Sequence, residues 1–149
     1  MKDYIKDQIS LWDKLCKEES DFYHRAAVWS GLSDVAYWIM FFVHWYDKPI
    51  SQSELCAENF FPKQTINSAI KKLVADEYVV LVPSEDNKKR KIIELTKKGL
   101  DFCIQYVEPI HEIEKSTFKE FKREEIDLML SIMQRQLKIM NEKAEKLWQ

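Results

Sequence analysis

The sequence predicts a mostly α fold with one small β-hairpin (α+β), and three observations carry that prediction. Only two glycines and four prolines occur in 149 residues, too few turn formers for an all-β chain. Apolar residues recur at three- and four-residue steps through most of the length, the period of amphipathic helices. Residues 78–95 alone break that period, with two short runs of β-formers around a polar tip. Hydrophobic residues make up 46% and aromatic residues 13% of the chain, enough to bury a core and to exclude global disorder.

Residues 3–30 predict a long amphipathic helix, with Ile5, Ile9, Trp12, Cys16, Tyr23 and Ala26 on one face. Gly31 supplies a C-terminal stop and Ser33 an N-cap for the next helix. Residues 34–46 are apolar almost all round, which predicts the central buried helix, ended by Asp47-Lys48-Pro49. Ile50 forms a minimal strand. Ser51 and Glu54 then have the spacing of a capping box for a short helix over about 51–59. Pro62 suits the first turn of a helix over 62–76, whose apolar face is Ile66, Ala69, Ile70, Leu73 and Val74.

Tyr78–Val82 and Lys91–Leu95 predict the hairpin strands, joined by the polar tip from Pro83 to Arg90. Thr96 caps a further helix that Pro109 kinks before it ends near Phe121. Over about 123–147, Ile126, Leu130, Met133, Leu137, Met140, Ala144 and Leu147 alternate steps of four and three, a heptad seam. Such a seam predicts a dimer contact, with core packing as the plainer alternative.

Charge and cysteine usage narrow the function classes. The formal net charge is −2, yet residues 60–98 carry nine Lys/Arg against five Asp/Glu, a basic face on an acidic body. Cys16, Cys56 and Cys103 are widely spaced and odd in number, which predicts neither a disulfide framework nor a zinc site. Cys16 is expected to be structural or incidental, since Glu18 and Glu19 offset Lys14 and Lys17. His24, His44 and His111 share no ligand spacing, so no metal and no cofactor are expected. There is no nucleophile–base pairing or phosphate loop, and an enzyme is not expected. The first residues hold no apolar leader and Val35–Trp45 is too short to span a bilayer, so a soluble cytoplasmic protein is expected.

Helix, short helix, helix and a basic-tipped hairpin form the order of a winged helix-turn-helix, in which the second paired helix enters the DNA major groove and the wing reaches the flanking groove or backbone. The candidate recognition residues are Lys63, Gln64, Thr65, Asn67, Ser68, Lys71 and Lys72; the candidate wing residues are Asn87, Lys88, Lys89, Arg90 and Lys91. Gln and Asn pair with adenine edges, Ser and Thr contact bases or phosphate, and lysines neutralise phosphates. A solvated helix face has the same composition. What distinguishes this one is the absence of acids before Asp76 and the basic tip that follows.

The run Lys63-Gln-Thr-Ile-Asn-Ser-Ala-Ile-Lys-Lys-Leu73, then Tyr78-Val-Val-Leu and Ile93-Glu-Leu-Thr-Lys-Lys-Gly99, resembles the MarR family of transcriptional regulators. Gly31-Leu-Ser33 and Ser51-Gln-x-Glu-Leu55 also match, so the resemblance covers nearly the whole chain. It implies a homodimer on a pseudo-palindromic DNA operator, usually a repressor, modulated by small aromatic or anionic effectors. It also implies dimerisation by the terminal helices, through Ile5, Ile9 and Trp12 at one end and Ile126, Leu130, Met133, Leu137, Met140 and Leu147 at the other. The implied organisation is 1–32 for dimerisation, 33–98 for DNA binding and 99–149 completing the dimerisation region.

The wing departs from the family pattern of an Asp two residues before an Arg. Spacing from Thr96 puts Lys89 at the Arg position and Asn87 at the Asp position, spacing from Asp86 puts Lys88 there, and Arg90 is a third choice. An aromatic group holding Tyr23, His24, Trp29, Trp38 and Phe42 is either core or a candidate effector pocket, with core packing the plainer reading. The acidic body and the altered wing leave a second function class open, a winged-helix protein–protein interaction module with weak or lost DNA binding.

Overall fold

The structure is a computed structural model that describes residues 3–46, 48–58 and 61–148. The expected breaker Asp47 and the expected end of the short helix at Asn59 lie outside the described residues. The described chain gathers into two compact units, residues 1–110 and 111–149.

Helix α1 (Tyr4–Ser30) starts where the Asp3 carboxylate accepts the N–H groups of Ile5 and Lys6, and stops at Gly31, whose φ of 79° is left-handed. Ser33 then caps α2 (Asp34–Trp45) through the Ala36 N–H. As expected, α2 is the core helix: Tyr37, Ile39 and Met40 are fully buried, and the Tyr37 hydroxyl donates to the Tyr106 carbonyl at 2.9 Å.

Strand β1 (Ile50–Ser51) leads into α3 (Gln52–Glu58) through the predicted capping box. The Glu54 carboxylate accepts the Ser51 N–H at 2.7 Å and the Ser51 hydroxyl accepts the Glu54 N–H at 3.1 Å. Helix α4 covers Lys63–Ala75, shorter at each end than the expected 62–76. Pro62 takes ψ 142° and so stands outside the helix as its N-cap, its carbonyl accepting the Ile66 N–H. The far end closes when Asp76 N–H returns to Lys72 O and Tyr78 N–H to Leu73 O. That second bond withdraws Tyr78 from the sheet, so β2 begins one residue later than expected, at Val79, and runs to Pro83.

Strand β3 (Lys91–Leu95) lies between the other two in the antiparallel order β1-β3-β2. Ser51 faces Ile92, and Val80 faces Glu94. Ile66, Ile70, Leu73, Val79, Ile93 and Cys103 join α2 in one apolar core. Burial and the nearby Glu108 carboxylate push the Cys103 thiol up to about 12.

Thr96 caps α5 (Lys97–Tyr106) through the Gly99 N–H. The expected single kinked helix is instead two, because the chain turns at Val107 before α6 (Glu108–Lys119). Pro109 has no N–H to offer the carbonyl four residues back, which accounts for the break. Helix α7 (Arg123–Ala144) ends three residues earlier than expected, so Leu147 of the seam lies in the following turn, its N–H bonded to Ala144 O. No single described helix is long and apolar enough to cross a membrane.

Candidate nucleic-acid interface

Burial of Ile66, Ile70 and Leu73 fixes how α4 is rotated, and the opposite side carries the predicted face. Lys63, Gln64, Thr65, Ser68, Lys71 and Lys72 are all exposed. No acid occupies the first turn of α4, so its positive end is not neutralised locally. The Ser68 hydroxyl donates back to Gln64 O at 2.9 Å, which leaves its lone pairs outward.

Asn67 stands apart from that group. It is half-buried, and its side-chain oxygen accepts the Gln52 amide at 2.6 Å and sits 3.9 Å from the Cys56 sulfur. These bonds tie α4 to α3 across the helix-turn-helix. The side-chain oxygen of Asn67, a residue the sequence pointed to as a base reader, thus serves the contact between the two helices. Gln52 and Cys56 were not singled out from sequence. Their involvement depends on a contact between positions 15 and 11 residues apart, with no local signature.

The wing is a tight, self-bonded turn. Ser84 N–H bonds to Arg90 O and Arg90 N–H to Asn87 O, while the Asn87 side chain accepts the Lys89 N–H at 3.1 Å. The Ser84 hydroxyl bonds the Asp86 carboxylate and is the main reason Asp86 is held below the usual carboxylate range. Lys88 and Lys89 occupy the tip, exposed, and Lys91 is exposed on β3.

Arg90 folds away from the tip. Its guanidinium donates to Glu54 at 2.7 Å and lies 3.8 Å from Asp86. Glu54 receives the Ser51 N–H first and the Arg90 guanidinium second, and together they bring its carboxyl down to about 2. Sequence reasoning identified Glu54 only as a cap. Its second partner lies 36 residues further along the chain.

Between α3, the start of α4 and the wing lies a cavity of about 270 Å³, lined by Lys63, Asn67, Lys89, Arg90 and Lys91 among others. Arg90 is neutralised by its carboxylates, which leaves three lysines from two elements facing one cleft. Lysines act as point charges, so a cleft lined by several of them from different elements is chemically able to hold an anionic oxygen.

The other candidate residues separate into distinct places. Tyr23 and Trp38 pack with ring centroids 4.8 Å apart, and Trp38 stacks on Phe42 at 5.5 Å. Trp29 instead packs edge-on against Tyr106 at 4.9 Å, and His24 pairs with Asp34 at 2.8 Å. Tyr23, Trp38 and Phe42 thus share one stack, while Trp29 and His24 have partners of their own. Ile5, Ile9 and Trp12 are exposed on α1, at 62%, 56% and 40%. On α7, Leu130, Met133, Leu137 and Met140 are exposed and Ile126 is half-exposed; the helix has no buried residue. Cys16 is exposed on α1.

Residues 30–90 match the family model described as MarR family. Among solved structures, NMB1585, a MarR family regulator from Neisseria meningitidis, is 13% identical, with 93% of this chain and 97% of that one covered and a TM-score of 0.77. S. aureus MepR in its DNA-binding conformation is 13% identical over 89% of this chain and 98% of its own, with a TM-score of 0.74. The S. aureus MepR–DNA complex gives 14%, 88%, 96% and 0.66 in the same terms. No curated protein sequence matches this chain.

Proposed function

We propose, from the match of residues 30–90 to the MarR family model and the winged-helix fold around it, that the chain is a sequence-specific DNA-binding transcriptional regulator. The observation that carries this reading is the cleft lined by Lys63 of α4 and by Lys89 and Lys91 of the wing, with Gln64 and Thr65 exposed next along α4. In this reading α4 lies in the major groove, with Gln64 and Thr65 at base edges and Lys71 and Lys72 on phosphates. The cleft holds a backbone phosphate between helix and wing, which fixes the register of the protein on the duplex.

The reading extends to a cytoplasmic homodimer acting as a repressor on a pseudo-palindromic operator. Residues 33–98 read the half-site, while 1–32 and 99–149 join two copies through the exposed apolar residues of α1 and α7. Two-fold symmetry then matches half-sites about one helical turn apart, roughly 34–36 Å. A small aromatic or anionic effector releases the operator. The half-buried Tyr23–Trp38–Phe42 group is the place for its apolar body, and His24, bonded to Asp34, is the candidate polar anchor.

Selection from a random-sequence duplex library by the purified protein tests the proposal. The expected result is enrichment of an inverted repeat whose binding weakens steeply with salt, because phosphate neutralisation releases counterions. Recovery of no sequence above background, with binding that ignores salt, would overturn it.

A further inference from the structure

We infer that Arg90 does not read DNA but braces the wing, and that the wing's lysines, Lys88 and Lys89 at the tip with Lys91 on β3, make its DNA contacts; this rests on the DNA-binding reading above. The brace is a closed loop of bonds. Arg90 reaches from the wing to one oxygen of Glu54 at 2.7 Å. The other oxygen of Glu54 takes the Ser51 N–H at 2.7 Å. Ser51 belongs to β1, which pairs with β3 at Ile92, two residues beyond Arg90. Side chain, helix cap and strand ladder therefore triangulate the wing against α3.

Two further features keep Arg90 from the groove. Its backbone lies at the base of the turn, bonded in both directions to Ser84 and Asn87, while Lys88 and Lys89 stand at the apex. Its guanidinium faces the carboxylates of both Glu54 and Asp86. Carrying it into a narrow minor groove would break a charge-assisted bond and leave two carboxylates beside the phosphates. Lysine reads such a groove less well than arginine because its ammonium is more strongly hydrated. The wing of this protein thus contributes charge and position, with sequence reading concentrated on α4.

The test is a double-mutant cycle in DNA affinity, using the duplex selected by the wild-type protein. Glu54→Gln keeps the cap, since Gln also serves in a capping box, and removes the charge that holds Arg90. Arg90→Gln removes the other partner. Each single variant is expected to weaken binding roughly tenfold, and the double variant no further, because both break one coupled unit. The dependence of log affinity on log salt should be unchanged in all three, whereas Lys88→Gln and Lys89→Gln should each reduce its slope by about one. Circular-dichroism melts establish that each variant is folded. Should Arg90→Gln not fold, Arg90→Lys takes its place. It retains a charge for any DNA contact but loses the guanidinium fork, and the same weakening is expected. Additive losses, near-normal binding by Arg90→Lys, or a reduced slope in Arg90→Gln would overturn the inference alone. Failure of the wild-type protein to bind any duplex would overturn the DNA-binding reading and the inference with it.

Discussion

The Thr96 hydroxyl donates to the carbonyl of Glu77 at 2.6 Å, and Glu77 is the one non-glycine residue with positive φ among the described residues, at 62°. That pair joins the turn after α4 to the end of β3. The Lys98 ammonium bonds Asp76 O at 2.7 Å and lies 4.6 Å from the Tyr78 ring centre, while Gly99 packs against the Tyr78 carbonyl. The run Leu95-Thr-Lys-Lys-Gly99 thereby clamps the turn Asp76–Tyr78 from the opposite side. It sets where β2 leaves α4, and so the angle between α4 and the hairpin.

Thr96→Ala should cost about 1–3 kcal/mol, because it removes the α5 cap and the bond to Glu77 together. Urea unfolding followed by circular dichroism is the measurement, with a lower midpoint and an unchanged m-value expected. Glu77→Gly should be neutral or stabilising by up to about 1 kcal/mol, since glycine adopts the left-handed conformation without the side-chain clash. Glu77→Val should destabilise, since a β-branched side chain suits that conformation least.

Gly99→Ala should reverse the usual helical preference. In an open helix alanine is favoured over glycine by about 1 kcal/mol. Here an added Cβ would lie 1.9 Å from the Tyr78 carbonyl oxygen, a backbone atom that cannot move without shifting the clamped turn. A loss of about 1–3 kcal/mol is expected from the overpacking. A thermal melt unchanged from wild type would show that the turn is not held as described.

Local rules made much of this fold legible in the sequence, and distance along the chain concealed the rest. Gly31, Ser33, the Ser51–Glu54 box and Thr96 act on backbone within four residues, so their roles follow from spacing alone. The shift of β2 to Val79 depends on where the Tyr78 N–H goes, which is decided by closure of α4. Asn67 shares its stretch of helix with exposed polar residues, so spacing alone places it with them. Its engagement by Gln52 appears only once α3 is laid across α4. Arg90 shows the same limit, since it has basic neighbours in sequence and an acidic one in space.

The Gln52–Asn67 bond separates two kinds of binding defect. Gln64→Ala should relax base preference, raising binding to mismatched duplexes relative to the selected one by roughly 1–3 kcal/mol. Asn67→Ala should weaken binding to matched and mismatched duplexes alike and also lower the melting temperature, because it releases α3 from α4. Lys72→Ala should leave preference intact and lower the salt slope by about one. Competition binding against mismatched duplexes, at several salt concentrations, resolves the three outcomes.

Acid should attack the Glu54 brace in a defined window. The carboxyl titrates at about 2 in the folded protein, against 4.5 for an ordinary glutamate. A depressed carboxylate contributes stability that is fully present above the unfolded value and is lost as pH falls from about 4.5 toward 2. Asp21, Asp86 and Glu112 are lowered in the same direction and add to that acid limb. Glu54→Gln should therefore lower stability at neutral pH and flatten the limb below pH 4.5, where wild type and variant converge. Parallel pH–stability curves for the two proteins would refute the pairing.

The heptad face of α7 supports the last expectation, that two copies associate through it. Leu130, Leu137 and Met140 are exposed at 44%, 56% and 56%, and no residue of α7 is buried within the single chain. An apolar stripe of that length in water is costly at about 25 cal/mol per Å², and covering it requires another apolar surface. The alternating steps of four and three from Ile126 to Ala144 suit a helical partner of the same kind, which a second copy supplies. Leu137→Glu should place a charge at the middle of that seam and convert a dimer to monomers in sedimentation-velocity runs. The core of residues 1–110 should be left folded, since none of its residues is altered. The same variant should bind a single half-site weakly and lose the gain from a second half-site, because that gain depends on linking the two binding events. A wild-type protein that sediments as a monomer at micromolar concentration, or a Leu137→Glu variant that remains dimeric, would remove α7 from the interface.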